Sequence, residues 1–431
     1  VPVENAELLG APLFAGQLLD TAWTTRCDDL SRAADRLASI GSQDALILLR
    51  ASFSAPRVQH LLRCSPSSCN SGLTKFDSIL RSTIDRITNS HLSDTEWLQA
   101  SMPIKLGGLG LRQVCSLAIP AFLASAASTL SLQDSILAAH PCDAESAFLD
   151  YIEKWSTSFG SPSEPLSGKQ SYWDRPGLQR DRAAIECTLN EPTMRARYSA
   201  ATASHSGDWL LALPIASCGL KLDDEAVRVA VGLRLGLNVC VPHTCRCGAV
   251  VDAHGLHCMV CKQAPGRTVR HQVLNDTIWR AFGAAGIPAT KEPTGLTRLD
   301  GKRPDGLTLI PWQAGRPLTW DVTVVATLAE SYLSTAVKGA GAVAELAASR
   351  KTQKYSELAH DYIFQPIAFE NMGAINSSAL ETLSDLGRKL TCRSGEEHET
   401  IFLLQRISVI LQRFNSVLLH DTFTTHDDPD Q

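Results

Sequence analysis

Apolar side chains recur at three- and four-residue spacing over residues 17–39, 42–52 and 72–89. That is the period of a helix with one buried face. Ser93-Asp94-Thr95-Glu96 reads as a further helix start, with a capping hydroxyl and an acidic first turn. The run 102–112 holds Pro103, Gly107, Gly108 and Gly110 and predicts a break. Residues 1–154 are therefore expected to form a helical region. From 155 to 171 the chain turns rich in Ser, Pro and Gly and loses its period, which predicts a linker. Helical pattern returns over 172–240, with an amphipathic stretch at 223–235, and this is expected as a helical linker region.

Past residue 240 the pattern changes. Residues 241–265 are loop-rich and crowded with Cys and His. A helix is predicted over 267–285, stopped by Gly286, followed by an extended piece at 287–293. Residues 306–312 and 318–325 are rich in β-branched and aromatic side chains, and 313–317 holds the turn residues, so they predict a hairpin. Setting Leu309 or Ile310 opposite Leu318 or Thr319 brings Asp305 and Asp321 to the same end of that ladder. A helix over about 345–362, a strand over 364–369 and helices over 378–390 and 399–419 complete the reading. The order helix, strand, hairpin, helix, strand makes 266–420 one α/β unit, with 421–431 as a disordered tail. The fold class expected is α+β or α/β, with a mostly helical N-terminal region and a small Cys/His knuckle.

The chain has 431 residues, a soft prior of about three domains. Its formal net charge of −5 excludes a global basic field, so any nucleic-acid contact must come from a local patch. Five of the 13 cysteines fall between Cys240 and Cys261, which suggests thiols gathered for a metal more than a disulfide scaffold. Val1-Pro2-Val3-Glu4 lacks the features of a signal peptide and reads as a cut from something longer. The most apolar run, Leu117 to Leu132, is broken by serines and is expected to fall short of a membrane span. No membrane partner and an intracellular location are expected.

Cys245, Cys247, His257 and Cys261 offer three thiolates and an imidazole at spacings of one, nine and three residues. Structural zinc takes four such ligands. His254 and Cys258 are rival ligands nearby. The second feature is Lys302-Arg303-Pro304-Asp305 followed by Trp320-Asp321-Val322-Thr323. Two carboxylates on adjacent strands can hold a divalent cation such as Mg²⁺, and such a cation activates water and stabilises a phosphate under attack. Glu292, on the preceding extended piece, stands ready to join them. Lys262, Arg267, Arg270, Arg280, Lys291, Arg298, Lys302, Arg303 and Arg316 crowd the same window, as a nucleic-acid backbone would need.

These residues, taken together, resemble the C-terminal part of non-LTR retrotransposon reverse transcriptases that carry a restriction-like endonuclease. That family joins a Cys/His zinc knuckle to an Arg/Lys-His-Asn motif, a Pro-Asp, a second Asp and a Lys-x-x-Lys-Tyr helix. Here the knuckle is followed by Arg270-His271, with Gln272 in the place of Asn, then Pro304-Asp305, Asp321, and Lys351-Thr352-Gln353-Lys354-Tyr355. Leu106-Gly107-Gly108-Leu109-Gly110-Leu111-Arg112 is similar to the stretch after the polymerase palm. The resemblance is specific from 245 to 355 and loose elsewhere.

It implies a PD-(D/E)xK nuclease fold and Mg²⁺-dependent nicking of DNA, in the nucleus where the target is chromosomal. Asp305 and Asp321 would hold Mg²⁺, with the Val322 carbonyl as a further ligand. Lys351, or else Lys354, would replace the lysine usual at the position of Thr323, and Tyr355 would belong to the same site. Arg270, His271 and Arg303 would contact DNA, the zinc knuckle would position the duplex, and element RNA is a further partner. No Asp-Asp palm motif is found, so this chain is not expected to copy RNA. The alternative is a non-catalytic, zinc-dependent nucleic-acid-binding module from a decayed or domesticated element.

Overall fold

In a computed structural model of the chain, residues 6–137, 146–163, 166–298 and 301–423 are described; the expected tail beyond Phe423 lies outside them. The protein is mostly helical with small sheets. It divides into two compact units. One holds the residues up to Pro103 together with Leu109–Thr188, and the other holds Ile104–Gly108 and the chain from Leu189 on.

The first unit is helical. A two-stranded hairpin, β1 (Glu7–Leu8) and β2 (Ala11–Pro12), precedes α1 (Gln17–Leu37), α2 (Ser42–Leu48), α3 (Ala55–Cys64), α4 (Ser71–Ile87), α5 (Asp94–Ser101), α6 (Val114–Leu137), α7 (Ser146–Phe159) and α8 (Gln170–Thr188). On α1 the buried Leu19, Trp23, Cys27, Leu30, Ala34 and Leu37 follow the three- and four-residue spacing of its sequence. Ser93 and Glu96 close the capping box expected at the start of α5. Asp77, on α4, accepts from the Val114 and Cys115 amides at 2.8 and 3.1 Å and so caps α6 from a neighbouring helix.

Two expectations fail here. The linker at 155–171 is shorter, because α7 runs to Phe159 and α8 begins at Gln170. The cause is aromatic packing: Trp155 lies edge-on to Trp173 at 5.1 Å and donates to its carbonyl at 2.9 Å. The apolar run in α6 does reach span length, since Val114–Leu132 has 19 residues and a mean hydropathy of 1.6. Glu399–His420 passes the same test, yet it is a mostly buried core helix.

The second unit holds α9 (Pro192–Ala201), α10 (Asp208–Leu211), α11 (Asp224–Leu235), a hairpin of β3 (His243–Thr244) and β4 (Val250–Val251), and α12 (Gly266–Ala284). Then come β5 (Ala289–Lys291), β6 (Gly306–Thr308), β7 (Leu318–Val325), α13 (Glu330–Ala336), α14 (Ala342–Lys354), β8 (Ile363–Glu370), α15 (Ser377–Ser394) and α16 (Glu399–His420). The sheet order is β5-β6-β7-β8, with the first three antiparallel and β8 parallel to β7 along its full length. Alternation along β7 sorts its side chains. Trp320 and Val322 join Ile278, Phe282, Phe369, Leu386 and Ile407 in a core with α12, α15 and α16. Val325 packs instead with Ala344, Ala347 and Ala348 of α14. Asp321 has the parity of Val325, and its partner comes from α14.

The hairpin register differs from expectation. Gly306 pairs with Trp320 and Leu307 with Thr319. The ladder stops at Thr308 because its side-chain oxygen, in place of a backbone carbonyl, takes the Leu318 amide at 2.9 Å. Leu309 and Ile310 are exposed and leave the strand. The pairing goes no further than Gly306: the Asp305 amide donates to the Trp320 carbonyl at 2.9 Å and its carboxylate accepts the Val322 amide, so Asp305 lies alongside residues 320–322. Gly306 is required here, since a Cβ would run into the Trp320 ring. Helix α14 also ends early, at Lys354, where Tyr355 turns its ring into the protein.

The knuckle is not a domain apart. Cys245, Val251, Cys258, Met259 and Cys261 share one apolar cluster with Val229 and Leu233 of α11 and Leu418 and Leu419 of α16. The expected helical linker 172–240 likewise divides, with α8 in the first unit and α9–α11 in the second.

Candidate metal centres and the carboxylate pair

The β3–β4 turn carries Cys245 and Cys247, and the short 3₁₀ turn Leu256–Met259 with the residues after it carries His257 and Cys261. Gly248, at φ +86°, lets the chain reverse within the β3–β4 turn. The four ligand atoms lie within 4.8 Å of one another. Cys245 Sγ is 3.7 Å from Cys261 Sγ, and Cys247 Sγ is 3.2 Å from His257 Nε2. A tetrahedral ion with bonds of about 2.3 Å spaces its sulfurs by about 3.8 Å. The cluster is thus already gathered to hold a metal such as zinc. The rivals are engaged elsewhere: Cys258 donates to the Gly255 carbonyl at 2.7 Å, and His254 Nδ1 lies 3.3 Å from the Leu237 carbonyl.

Asp305 is held from three sides. Its Oδ2 accepts the Val322 amide at 2.6 Å and faces His271 Nε2 at 3.0 Å. Its main-chain carbonyl accepts from the Glu292 amide at 3.0 Å and from Asn275 Nδ2 at 3.1 Å. Asn275 in turn accepts from the Trp320 indole at 2.8 Å. His271 and Asn275 are one turn apart on α12, so a single helix grips both the side chain and the backbone of Asp305. The Asp305 contact holds the His271 imidazole above its usual range, against the opposing effect of burial. Asn275 was missed in the sequence. The i, i+4 spacing from His271 was its only signal, and an Asn on a helix carries many other readings.

Asp321 stands on the α14 face, its side chain 5% exposed, and pairs with the Lys351 ammonium. Burial, then the Asp305 charge, push its carboxyl upward, and Lys351 pulls the other way. Oδ2 accepts no aligned hydrogen bond, so the ammonium is its compensation. Thr323 supplies no charge. Glu370, buried at the end of β8, fixes the helix that does: it accepts from the Val343 and Ala344 amides at 3.2 Å and from Thr327 Oγ1 at 2.9 Å. Lys354 goes elsewhere, 3.2 Å from the Tyr355 hydroxyl and over its ring. Tyr355 donates to the Arg303 carbonyl at 3.0 Å, beside the Pro304-Asp305 turn.

The remaining expected residues fall less neatly. Glu292 is ion-paired with Arg303. Its backbone lies at φ +48°, a left-handed conformation that costs a non-glycine residue about 1 kcal/mol. Arg270 does not reach a surface. It is 3% exposed, and its Nε and Nη1 have no hydrogen-bond partner among the described residues. The reason is helical phase: Arg270 falls in line with the buried Leu274 and Ile278 of α12, while His271 falls beside them. The basic strip is also partly spent within the protein, with Lys291 on Asp276 and Arg267 on the Val260 and Cys261 carbonyls. Among the described residues the Cys/His cluster is the one group of three or more His, Cys, Asp or Glu ligands that converges within 4.8 Å. His271, Asp305 and Asp321 do not all converge to that degree. No protein-family model and no curated protein sequence matches the chain.

Proposed function

We propose that the second unit is a metal-dependent DNA endonuclease that nicks one strand, with its α12-β5-β6-β7-α14-β8 core built as a PD-(D/E)xK nuclease. The observation that carries this reading is the Lys351 ammonium on buried Asp321, with the Asp305 carboxylate on the amide of the next residue, Val322. Two acids on neighbouring segments of one hairpin, with a lysine delivered from the next helix, are a set suited to metal-assisted phosphodiester hydrolysis.

Asp305 and Asp321 would hold the divalent ion, Mg²⁺ in this reading, with the Val322 carbonyl beside them. The buried Asp321 Oδ2 with no aligned hydrogen bond fits such a role. The ion supplies Lewis acidity and a water of lowered pKa. Lys351 orients the attacking oxygen or meets the charge that develops on the phosphate. Lys354 and Tyr355 brace the Arg303-Pro304-Asp305 turn. Arg303 and the exposed basic residues meet the DNA backbone, and zinc in the knuckle holds the adjoining surface in shape. Action on chromosomal DNA would place the protein in the nucleus, with element RNA as a second partner if the parent element is active.

The test is nicking of supercoiled plasmid by the full chain with Mg²⁺ or EDTA. Wild type is expected to nick with Mg²⁺, and Asp305→Asn and Asp321→Asn to lose that activity while keeping DNA affinity. Equal nicking in EDTA, or by either variant, removes the reading. The other reading is a zinc-dependent binding module without catalysis. What favours it is that both acids already have partners within the protein, Asp305 in His271 and Asp321 in Lys351. Zinc-dependent DNA binding with no cleavage in any divalent ion would select it.

A further inference from the structure

We propose that His271 is itself a ligand of the ion held by Asp305, so that the centre is a mixed imidazole–oxygen site. The inference rests on the nuclease reading and deepens it. His271 Nε2 lies 3.0 Å from Asp305 Oδ2 and 3.2 Å from the Val322 carbonyl oxygen. Those two oxygens are the ones that reading gives to the metal. An octahedral ion with bonds of about 2.1 Å separates adjacent ligand atoms by about 3.0 Å, the bond length times √2. The nitrogen therefore already stands at about the edge length of a coordination polyhedron from each of the two oxygens.

The arrangement is fixed from below. Asn275, one turn along α12, binds the Asp305 carbonyl at 3.1 Å and the Trp320 indole at 2.8 Å. The Asp305 amide donates to the Trp320 carbonyl at 2.9 Å. Imidazole and carboxylate cannot drift apart unless α12 parts from the hairpin. The His271 side chain is 38% exposed, which leaves the nitrogen open to an ion and its waters. A merely supporting imidazole would present N–H to Asp305. A ligating one presents the lone pair of Nε2 and keeps its hydrogen on Nδ1. The consequence is a shift of preference. Imidazole favours Mn²⁺ and Co²⁺ over Mg²⁺, which prefers oxygen throughout.

The test uses the full chain with zinc retained, Mn²⁺ as the probe, and pulsed EPR to detect nitrogen bound to manganese. Wild type is expected to show the ¹⁴N modulation of a coordinated imidazole, on an ion lost in Asp305→Asn. His271→Ala should lose the nitrogen signal and about tenfold or more in Mn²⁺ affinity, with a smaller loss for Mg²⁺. His271→Gln, which keeps a hydrogen-bond donor toward Asp305, should also lose the signal and guards against a folding artefact. Asp305-dependent Mn²⁺ without a nitrogen signal, or a signal that survives in both variants, overturns the inference alone. Absence of any Asp305-dependent Mn²⁺ overturns the nuclease reading as well.

Discussion

Lys351 has two duties, and they can be separated. It neutralises a carboxylate that is 5% exposed, and in the nuclease reading it acts on the phosphate. Lys351→Ala should lower cleavage by about a hundredfold or more, with little change in DNA binding. It should also destabilise the second unit by about 2 kcal/mol, because Asp321 is left buried and unpaired. Adding Asp321→Asn to Lys351→Ala should restore stability in thermal melts but not cleavage. Lys351→Arg should restore little cleavage, since a planar fork does not replace a compact ammonium. Normal cleavage by Lys351→Ala would remove the residue from the chemistry. Arg270 poses the opposite case, a buried charge with two nitrogens unpartnered. Arg270→Met should leave stability unchanged or raise it by about 1 kcal/mol. It should also leave the salt dependence of DNA binding unchanged, whereas a phosphate contact would reduce the slope by about one.

At the level of elements, the Cys/His cluster is legible in sequence because metal ligation fixes residue types at fixed spacings. The residues that bring it home are not legible: Leu418 and Leu419 lie far along the chain and carry no pattern beyond helix. Chelation should therefore loosen more than the knuckle. Hydrogen exchange after zinc removal is expected to speed up over 243–261 and also at the C-terminal end of α16, with the β7–β8 ladder still protected. Exchange confined to the knuckle would mean the shared cluster contributes little. The hairpin shows the same limit. Its existence followed from β-branched and aromatic residues, but its register hung on the single Thr308 side chain that ends the ladder. The phase of Arg270 was readable from its spacing to Leu274 and Ile278, but a motif reading gave it a phosphate. Trp155 reads as linker only because its partner Trp173 lies beyond the Ser/Pro/Gly run.

For the whole molecule, the division into units depends on a few residues that sequence reading treats as a plain break. Ile104–Gly108 belongs with the second unit although the chain on both sides of it belongs to the first. Its attachment is Arg234, 3% exposed on α11, which donates to the Ile104 carbonyl at 2.7 Å and the Gly108 carbonyl at 3.0 Å. Burial lowers the guanidinium to about 10, the mark of a charge short of solvent. A fragment that begins at Leu189 keeps the sheet, both candidate metal sites and every helix from α9 on, yet deprives Arg234 of those two acceptors. The fragment should fold but melt lower than the same unit in the full chain, by a loss of about 2–4 kcal/mol. Arg234→Met should then act with different strength in the two proteins. In the full chain it strands the Ile104, Gly108 and Ser206 carbonyls and destabilises by about 1–3 kcal/mol. In the fragment the Ile104 and Gly108 carbonyls are gone while the Ser206 acceptors remain, and the same change costs less. Denaturant melts of the four proteins decide it. A fragment as stable as the full-chain unit, or equal destabilisation by Arg234→Met in both, would show that the Ile104–Gly108 segment is not what Arg234 is buried for.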